Sequence, residues 1–478
     1  MVTPAVLPPV SRDTINTLMN VCPEFRPPLD PDFVSPALWN RAYRAAVRDA
    51  GGGDPLAIAL ERSDGSISAF RTAVLPNETA LTHRHVERLL KFLLWQKGGC
   101  RVIIAGSPEL ADYLRGVYSA SGARAFDHRF MGEQVYGRPF AVETASFDNT
   151  PAERETSAPL GRHLEGCRIG FDLGASDRKC AAVADGRLLF SEEVPWNPSV
   201  QSDPQFHFDG IDDSLRRAAA HLPRVDAIGG SAAGVYVNNE VRVGSLYRAV
   251  PAALFETRIR GLFRDLRAKW GGIPFDVVND GEVTALAGSM AMNDNAVLGV
   301  AMGSSLAAGY VTPEGAITGW LNELAFAPVD YNEHAPVDEW SGDAGVGARY
   351  FSQQAVGRLT VPAGIDLAAD MPLPVKLEQV QKLAAEGDAR AMQIYETIGI
   401  YFGYTIADYA EFYEIRNLLV LGRVMTGVGG DRILDVAGKV LKDEFPEVAE
   451  RIKFRIPGEQ EKRHGQAIAA ASLPAIRH

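Results

Sequence analysis

The feature that most constrains this chain is a pattern that occurs twice. RIGFDLGASDRKCAAVADGRLLFSEEV, from Arg168, reads as strand, Gly/Ser turn, strand, Asp-Gly turn, strand, and AVLGVAMGSSLAAGYVTPEGAITGWL, from Ala296, repeats that order. The turn glycines are Gly174 and Gly186 in the first copy and Gly303 and Gly315 in the second, twelve residues apart each time. Short apolar runs punctuated by glycine turns read as β-hairpins, and the equal interval points to a duplicated unit. Two unrelated hairpins with common turn chemistry are the alternative.

Between and after the hairpins the pattern is βα. VDAIGGSAAG precedes a helix around Ala252 to Trp270, and PFDVVND precedes a helix from Glu282 to Met290. The stretch KLEQVQKLAAEGDARAMQIYETIGIYFGYTIADYAEFY has apolar residues at helical spacing, and LLVLGRVMTGVGGDRILDVAGKVLKDEF reads as strand, glycine-rich turn, helix. A chain of 478 residues exceeds one ordinary core. The expectation is two α/β lobes, residues 161–292 and 293–478, each opened by a hairpin.

Residues 1–160 read as an additional N-terminal α/β unit. Residues 1–35 are proline-rich and suit an extended arm. A helix runs from about Pro36 to Ala50 and ends at Gly51, Gly52 and Gly53. A hairpin turning at Asp64 and Gly65 follows, then the amphipathic helix THRHVERLLKFLLWQKGG, the strand CRVIIAGSP and the helix ELADYLRGVYSASG. Ser146 to Leu160 is polar and proline-containing and reads as a linker. The order faintly echoes Arg168 to Gly234, so a degenerate copy of the first lobe, used for packing or regulation, is one reading.

The net charge of −12, with no Lys/Arg-rich block, disfavours a nucleic-acid partner. No apolar run approaches the roughly 20 residues that span a bilayer, so no membrane partner is expected. The first twenty residues lack a basic segment followed by an apolar one, and the chain is expected to be cytoplasmic. Cys22, Cys100, Cys167 and Cys180 match neither a disulfide framework nor zinc-ligand spacing.

Turns such as DLGAS expose successive backbone N–H groups, and glycine lets a phosphate approach closely. Gly174, Ala175 and Ser176 form one such turn, and Gly303, Ser304 and Ser305 form the other, with two hydroxyl donors. Two facing turns could clamp one polyphosphate. Asp172 is placed to hold Mg²⁺ through water, and Lys179 offers a point charge. The turn holding Gly422, Gly427, Gly429 and Gly430 suits a flat base or a ribose, or serves as a plain αβ connection. In DVVNDGEVTALAG, Asp280 either caps the helix that follows it or works as a base at a strand end facing a cleft.

Together these segments resemble the ROK (repressor, open reading frame, kinase) family of sugar kinases, within the actin-like ATPase superfamily. The resemblance covers about two thirds of the chain, from about residue 165 onward. DLGASDRK is similar to the family's first phosphate loop, DxGGTK, with Ala175 and Ser176 replacing the Gly-Thr pair. GSSLAAG is similar to the second, GTGxGxG. NDGEVTAL resembles the Asn-Asp segment, NELAF the GExGH segment, and HGQAIAAASLP the closing helix.

The resemblance implies a two-lobed actin-like ATPase (ribonuclease H-like) fold, ATP and Mg²⁺ as cofactors, and a small sugar or amino sugar as partner; a homodimer is also open. It implies Asp280 as general base, with Asn279, Glu323, Ser231 and Asn238 on the sugar side.

The departures are equally specific. Phe326 stands where the family has a histidine. EWSGDAGVGARYFS stands where it has CxCGxxGCxE and carries no cysteine, so zinc is not expected. Ala348 replaces a sugar-binding glutamate. Phe326 could stack on a sugar ring or belong to the core. A non-catalytic sugar- or nucleotide-binding regulator of the same fold is the alternative.

Overall fold

The computed structural model describes residues 21, 23–76, 79–155, 159–456 and 465–476. Residues 1–20 of the proline-rich arm, Cys22 and His464 lie outside them. Within the arm, Phe33 is buried against Tyr401, with ring centroids 4.8 Å apart.

The first lobe holds a five-stranded sheet ordered β11-β8-β5-β6-β7: β5 (Cys167–Leu173), β6 (Asp177–Ala184), β7 (Arg187–Pro195), β8 (Ala227–Ala232) and β11 (Phe275–Asn279). β5 pairs antiparallel with β6 and parallel with β8. Every residue of β5 is buried, which explains its unbroken apolar reading. The second lobe holds a four-stranded sheet ordered β13-β12-β14-β15: β12 (Val297–Met302), β13 (Leu306–Val311), β14 (Asn417–Leu421) and β15 (Lys453–Arg455). Here β12 pairs antiparallel with β13 and parallel with β14. The same hairpin-plus-parallel-strand arrangement therefore recurs, with Gly186 (φ 77°) and Gly315 (φ 88°) both left-handed at the second turn.

The copies differ in their third strand. β7 pairs along its length with β6, whereas Ile317 makes only isolated bridges, to Val311 and to Leu160. The chain after Ile317 leaves the sheet, and Leu160, at the end of the expected linker, occupies that edge. At the linker's other end Arg154 bridges Ile67. The helix read over Ala252 to Trp270 is also broken: a π turn at Phe255–Ile259 interrupts it, and the regular part, α5, is Leu262–Lys269.

Five longer helices precede or follow these strands in ways that matter for the site. Ser35 Oγ accepts from Leu38 N at the start of α1 (Pro36–Asp49), and α2 (Thr79–Lys97) follows the hairpin β1 (Asp54–Glu61) and β2 (Ile67–Val74). α3 (Pro108–Val117) and α4 (Pro204–Ala219) cover sheet faces, and α6 (Asp280–Met292) lies between the lobes. The second lobe is completed by α7 (Leu373–Ala385), α8 (Ala389–Tyr409) and α9 (Val428–Glu444). The short closing helix α10 (Gln466–Ala471) sits backbone-to-backbone on the first sheet. A Cβ on Gly170 would strike Ala467 O, and one on Gly229 would strike Ala470 O.

With β3 (Arg101–Ala105) and β4 (Ala141–Ala145), β1 and β2 form a separate N-terminal sheet, ordered β2-β1-β3-β4. The order matches β6-β5-β8-β11, but β3 runs antiparallel to β1 where β8 runs parallel to β5. β4 and the helical turns at 125–136 were not legible in the sequence, since both are short. The largest apolar core joins side chains between Phe33 and Val142 with others between Leu298 and Ile452. The first lobe has its own core, from Ile169 to Val277.

Buried charge also ties the N-terminal sheet's helix to the second lobe. Lys91 Nζ, on α2, lies 2.9 Å from Asp127 Oδ2 and 2.6 Å from Asp343 Oδ2, and Arg124 also pairs with Asp343. Asp343 lies in the segment that carries no cysteine, so ion pairs with α2 and its neighbours hold that loop.

Candidate active site

The site begins at the carboxyl edge of the first sheet. Register places Leu173, Ala232 and Asn279 side by side at the ends of β5, β8 and β11. Open parallel sheets bind ligands at this edge.

The two hairpin turns are exposed at Ala175, Ser176, Ser304 and Ser305. Each is braced from behind. Trp196 Nε1 donates to Gly174 O at 2.8 Å, Trp196 N donates to Ser176 O at 3.0 Å, and Gly174 N donates to Asp177 O at 2.9 Å. In the second turn Gly303 N donates to Ser305 O and Gln353 N donates to Gly303 O, both at 2.9 Å.

The glycine-rich turn after β14 lies beside it: a Cβ on Gly422 (φ 106°) would strike Met302 O, at the end of β12. Gly427 (φ 70°) caps α9 with open space around it, while Gly429 and Gly430 are packed against Tyr395 and Met425 O. Only the first two of these four glycines therefore face free space or need their conformation.

Asp172 is buried beneath the first turn. Its Oδ1 accepts from Ser231 Oγ at 2.6 Å, and its Oδ2 lies 3.9 Å from Lys179 Nζ, which also approaches Asp177 at 3.5 Å. Burial pushes the Asp172 carboxyl up, against Ser231 and Lys179. One carboxylate with a nearby hydroxyl fits a Mg²⁺ held through water, which needs few protein ligands. Among the described residues no cluster of three or more His, Cys, Asp or Glu could hold a metal directly.

Asp280 is not the helix cap. That role belongs to Asn279, whose Oδ1 accepts from Gly281 N at 2.7 Å while its Nδ2 donates to Gly234 O at 2.8 Å. Asp280 is the first residue of α6, and Gly281 N also approaches its Oδ1 at 3.0 Å. Burial first, and then the charge of Asp172, raise the Asp280 carboxyl to about 6. Among the described residues no cation pairs with it. The position is rigid, because α6 packs on β13 through glycine: a Cβ on Gly281 would strike Ala308 O, and one on Gly309 would strike Gly281 O.

Glu323 is raised to about 7 by burial and by Asp280, which brings these two carboxyls together as the sequence suggested. Its backbone N donates to Trp95 O at 3.0 Å, and Asn322 N donates to Gln96 O at 2.9 Å, so the end of α2 carries this segment. Ser231 is wholly buried on Asp172, away from free space.

Asn238 is exposed, at the tip of the hairpin formed by β9 (Val235–Val237) and β10 (Glu240–Val243). Its neighbour Asn239 is the residue fixed to the sheet: Nδ2 donates to Phe275 O at 2.7 Å, and Oδ1 accepts from Val277 N at 2.8 Å. Phe326 belongs to the core, against Trp95, Phe126 and Trp340. Ala348 is buried as well.

Sequence reasoning missed Glu282. Its Oε2 accepts from Tyr310 N at 3.1 Å and its Oε1 from Asn322 Nδ2 at 2.5 Å, and Asn322 Oδ1 accepts from Tyr413 OH at 2.7 Å. The available signal was a charge inside the apolar helix GEVTALAGSMAM. Burial raises Glu282 to about 8.

An acid whose folded pKa lies above its unfolded value stabilises the fold at low pH and loses that contribution as pH rises. With Asp280 at about 6, Glu323 at about 7 and Glu282 at about 8, stability should fall between about pH 4.5 and 8. The urea midpoint at pH 8.5 should lie below that at pH 5.5, by less in Glu282→Gln, which cannot ionise there. An equal drop in both proteins would remove Glu282 from the explanation.

A cavity of about 950 Å³ adjoins these carboxyls, lined by Asn279, Glu282 and Glu323 and running along β11 to Pro274. Among the described residues no helix is long and apolar enough to cross a membrane.

No protein-family model matches the chain, and no curated protein matches it by sequence. Solved structures match it by fold. A ROK hexokinase from Thermus thermophilus aligns over 64% of this chain and 97% of its own, at 18% identity and a TM-score of 0.51. A ROK-family transcriptional regulator, a homolog of the E. coli MLC protein, aligns over 65% of this chain and 79% of its own, at 18% identity and a TM-score of 0.52. Over about two thirds of its length the chain thus shares the two-lobed α/β fold of these structures, and it carries an N-terminal α/β sheet besides.

Proposed function

We propose that this protein transfers a phosphoryl group from ATP to a hydroxyl of a sugar or amino sugar. The observation that carries this reading is Asp280: a half-buried carboxyl without a cation partner among the described residues, raised to about 6, directly after the strand end of β11 at the carboxyl edge of the first sheet. Phosphoryl transfer needs positioning and charge neutralisation more than covalent help.

In this mechanism the amides of Ala175, Ser176, Ser304 and Ser305 hold the phosphates. Lys179 adds a point charge, and the turn at Gly422 and Gly427 receives the nucleoside. Asp172 would hold Mg²⁺ through water, and the ion, when bound, neutralises phosphate charge. The acceptor oxygen forms a bond to the γ-phosphorus as the bond to the ADP oxygen breaks, and the hydroxyl proton passes to the Asp280 carboxylate. Glu323 and Asn238 orient neighbouring hydroxyls, while Asn279 and Ser231 act by fixing Gly234 and Asp172.

Measuring Mg²⁺-dependent ADP release against hexoses and N-acetylhexosamines tests the proposal. Stimulation by at least one acceptor is expected, and its absence across the panel would sink it.

One observation favours a second reading, a non-catalytic binding regulator. Both ends of the Asn279 amide are engaged within the fold, and Phe326 and Ala348 are packed as core. Calorimetric sugar binding without ADP release would select that reading.

A further inference from the structure

The cavity that Asn279, Glu282 and Glu323 line is larger than a single sugar ring requires. Its volume of about 950 Å³ is near the top of the ~300–1,000 Å³ range of sites for drug-sized ligands. Its floor is the edge strand β11, five residues from Phe275 to Asn279, which at roughly 3.3 Å per residue is about 17 Å long. Glu282 and Glu323 line the wall near Asn279, whereas the strand begins beside Arg267 and Pro274. Walls come from the N-terminal sheet as well as both lobes, through Arg62 and Leu321 among others.

Arg62 is 3% exposed and its Nη atoms serve Glu155, Ser68 and Lys97 O, so it closes the wall rather than facing the open space. Arg267 is exposed and makes no ion pair with a described residue. Trp320, an aromatic wall residue, is already engaged by Lys97 Nζ, 2.9 Å from its ring centroid, and by stacking with Tyr310 at 5.5 Å. The Trp320 ring is therefore not free to stack on a ligand, and Arg267 is a donor that the extended part of the cavity offers.

We infer that the acceptor is a disaccharide. Its reacting ring lies at the Asn279–Glu323 end, and its second ring lies along β11, where hydroxyl or ring oxygens accept from Arg267. This rests on the kinase reading for which ring reacts, but the length of the site does not depend on it.

The experiment compares kcat/KM of the full chain for hexoses and for maltose, cellobiose and sucrose, in the wild type and in Arg267→Ala. At least one disaccharide should exceed its component monosaccharide by about tenfold, and Arg267→Ala should lower that ratio by about fivefold. Turnover of monosaccharides with every disaccharide inert or weaker overturns the inference and leaves the kinase reading standing. If no acceptor is turned over, the kinase reading fails, and calorimetry with the same sugars decides the site. A disaccharide bound about tenfold more tightly than its monosaccharide then supports the long site, and equal, weaker or absent binding overturns it.

Discussion

Asp280→Asn should lower acceptor-dependent ADP release by about 10²- to 10⁴-fold, the contribution of a positioned general base. Nucleotide binding should be largely retained, because the turns at Gly174 and Gly303 are braced by Trp196 and Gln353, not by Asp280. The pH dependence gives an independent readout. Only the ionised carboxylate accepts a proton, so kcat/KM should rise through about pH 6 in the wild type. That limb should vanish in the variant. Wild-type turnover by Asp280→Asn would remove the base assignment. Its position depends on close backbone packing between Gly281 and Gly309, so Gly309→Val should impair turnover by displacing α6.

The second large effect concerns stability. Lys91→Met should destabilise the protein by about 3–5 kcal/mol, read from the urea midpoint, because it leaves buried carboxylates uncompensated. Lys91 and Asp127 are fully buried, and Trp95 Nε1 also donates to Asp127 Oδ1, at 3.1 Å. Burial pushes Asp343 up, yet Lys91 and Arg124 outweigh it and hold that carboxyl below its usual range. Lys91→Met combined with Asp127→Leu should recover much of the loss, since both charges leave together. A loss under about 1 kcal/mol in the single variant would show that the cluster holds nothing. The carbonyls of Trp95 and Gln96 carry Glu323 and Asn322, so loosening α2 should also weaken acceptor binding.

The hairpins were readable because glycine turns between apolar runs are local signals. Gly186 and Gly315 needed their left-handed backbone wherever the chain went next. Strands β8, β11 and β14 were readable for the same reason. Asp280 was visible as a strand-end carboxylate, although the cap belongs to Asn279: both precede a helix, and sequence alone cannot say which side chain turns back onto Gly281. Glu282 was hidden because its partners, Tyr310 and Asn322, are 28 and 40 residues away. Asn239 was passed over for Asn238, since which residue of a tight turn faces the neighbouring strand depends on how the hairpin docks.

The sequence by itself determined the repeated hairpin units, the exposed glycine turns and the carboxylate that begins α6, since short-range backbone preference and apolar spacing are written residue by residue. Only the tertiary structure decided that the N-terminal sheet shares a core with the second lobe, that α2 carries Glu323, and that a long cavity opens along β11. Each of these depends on surfaces far apart in the chain meeting, and their burial and charge pairing have no local signature.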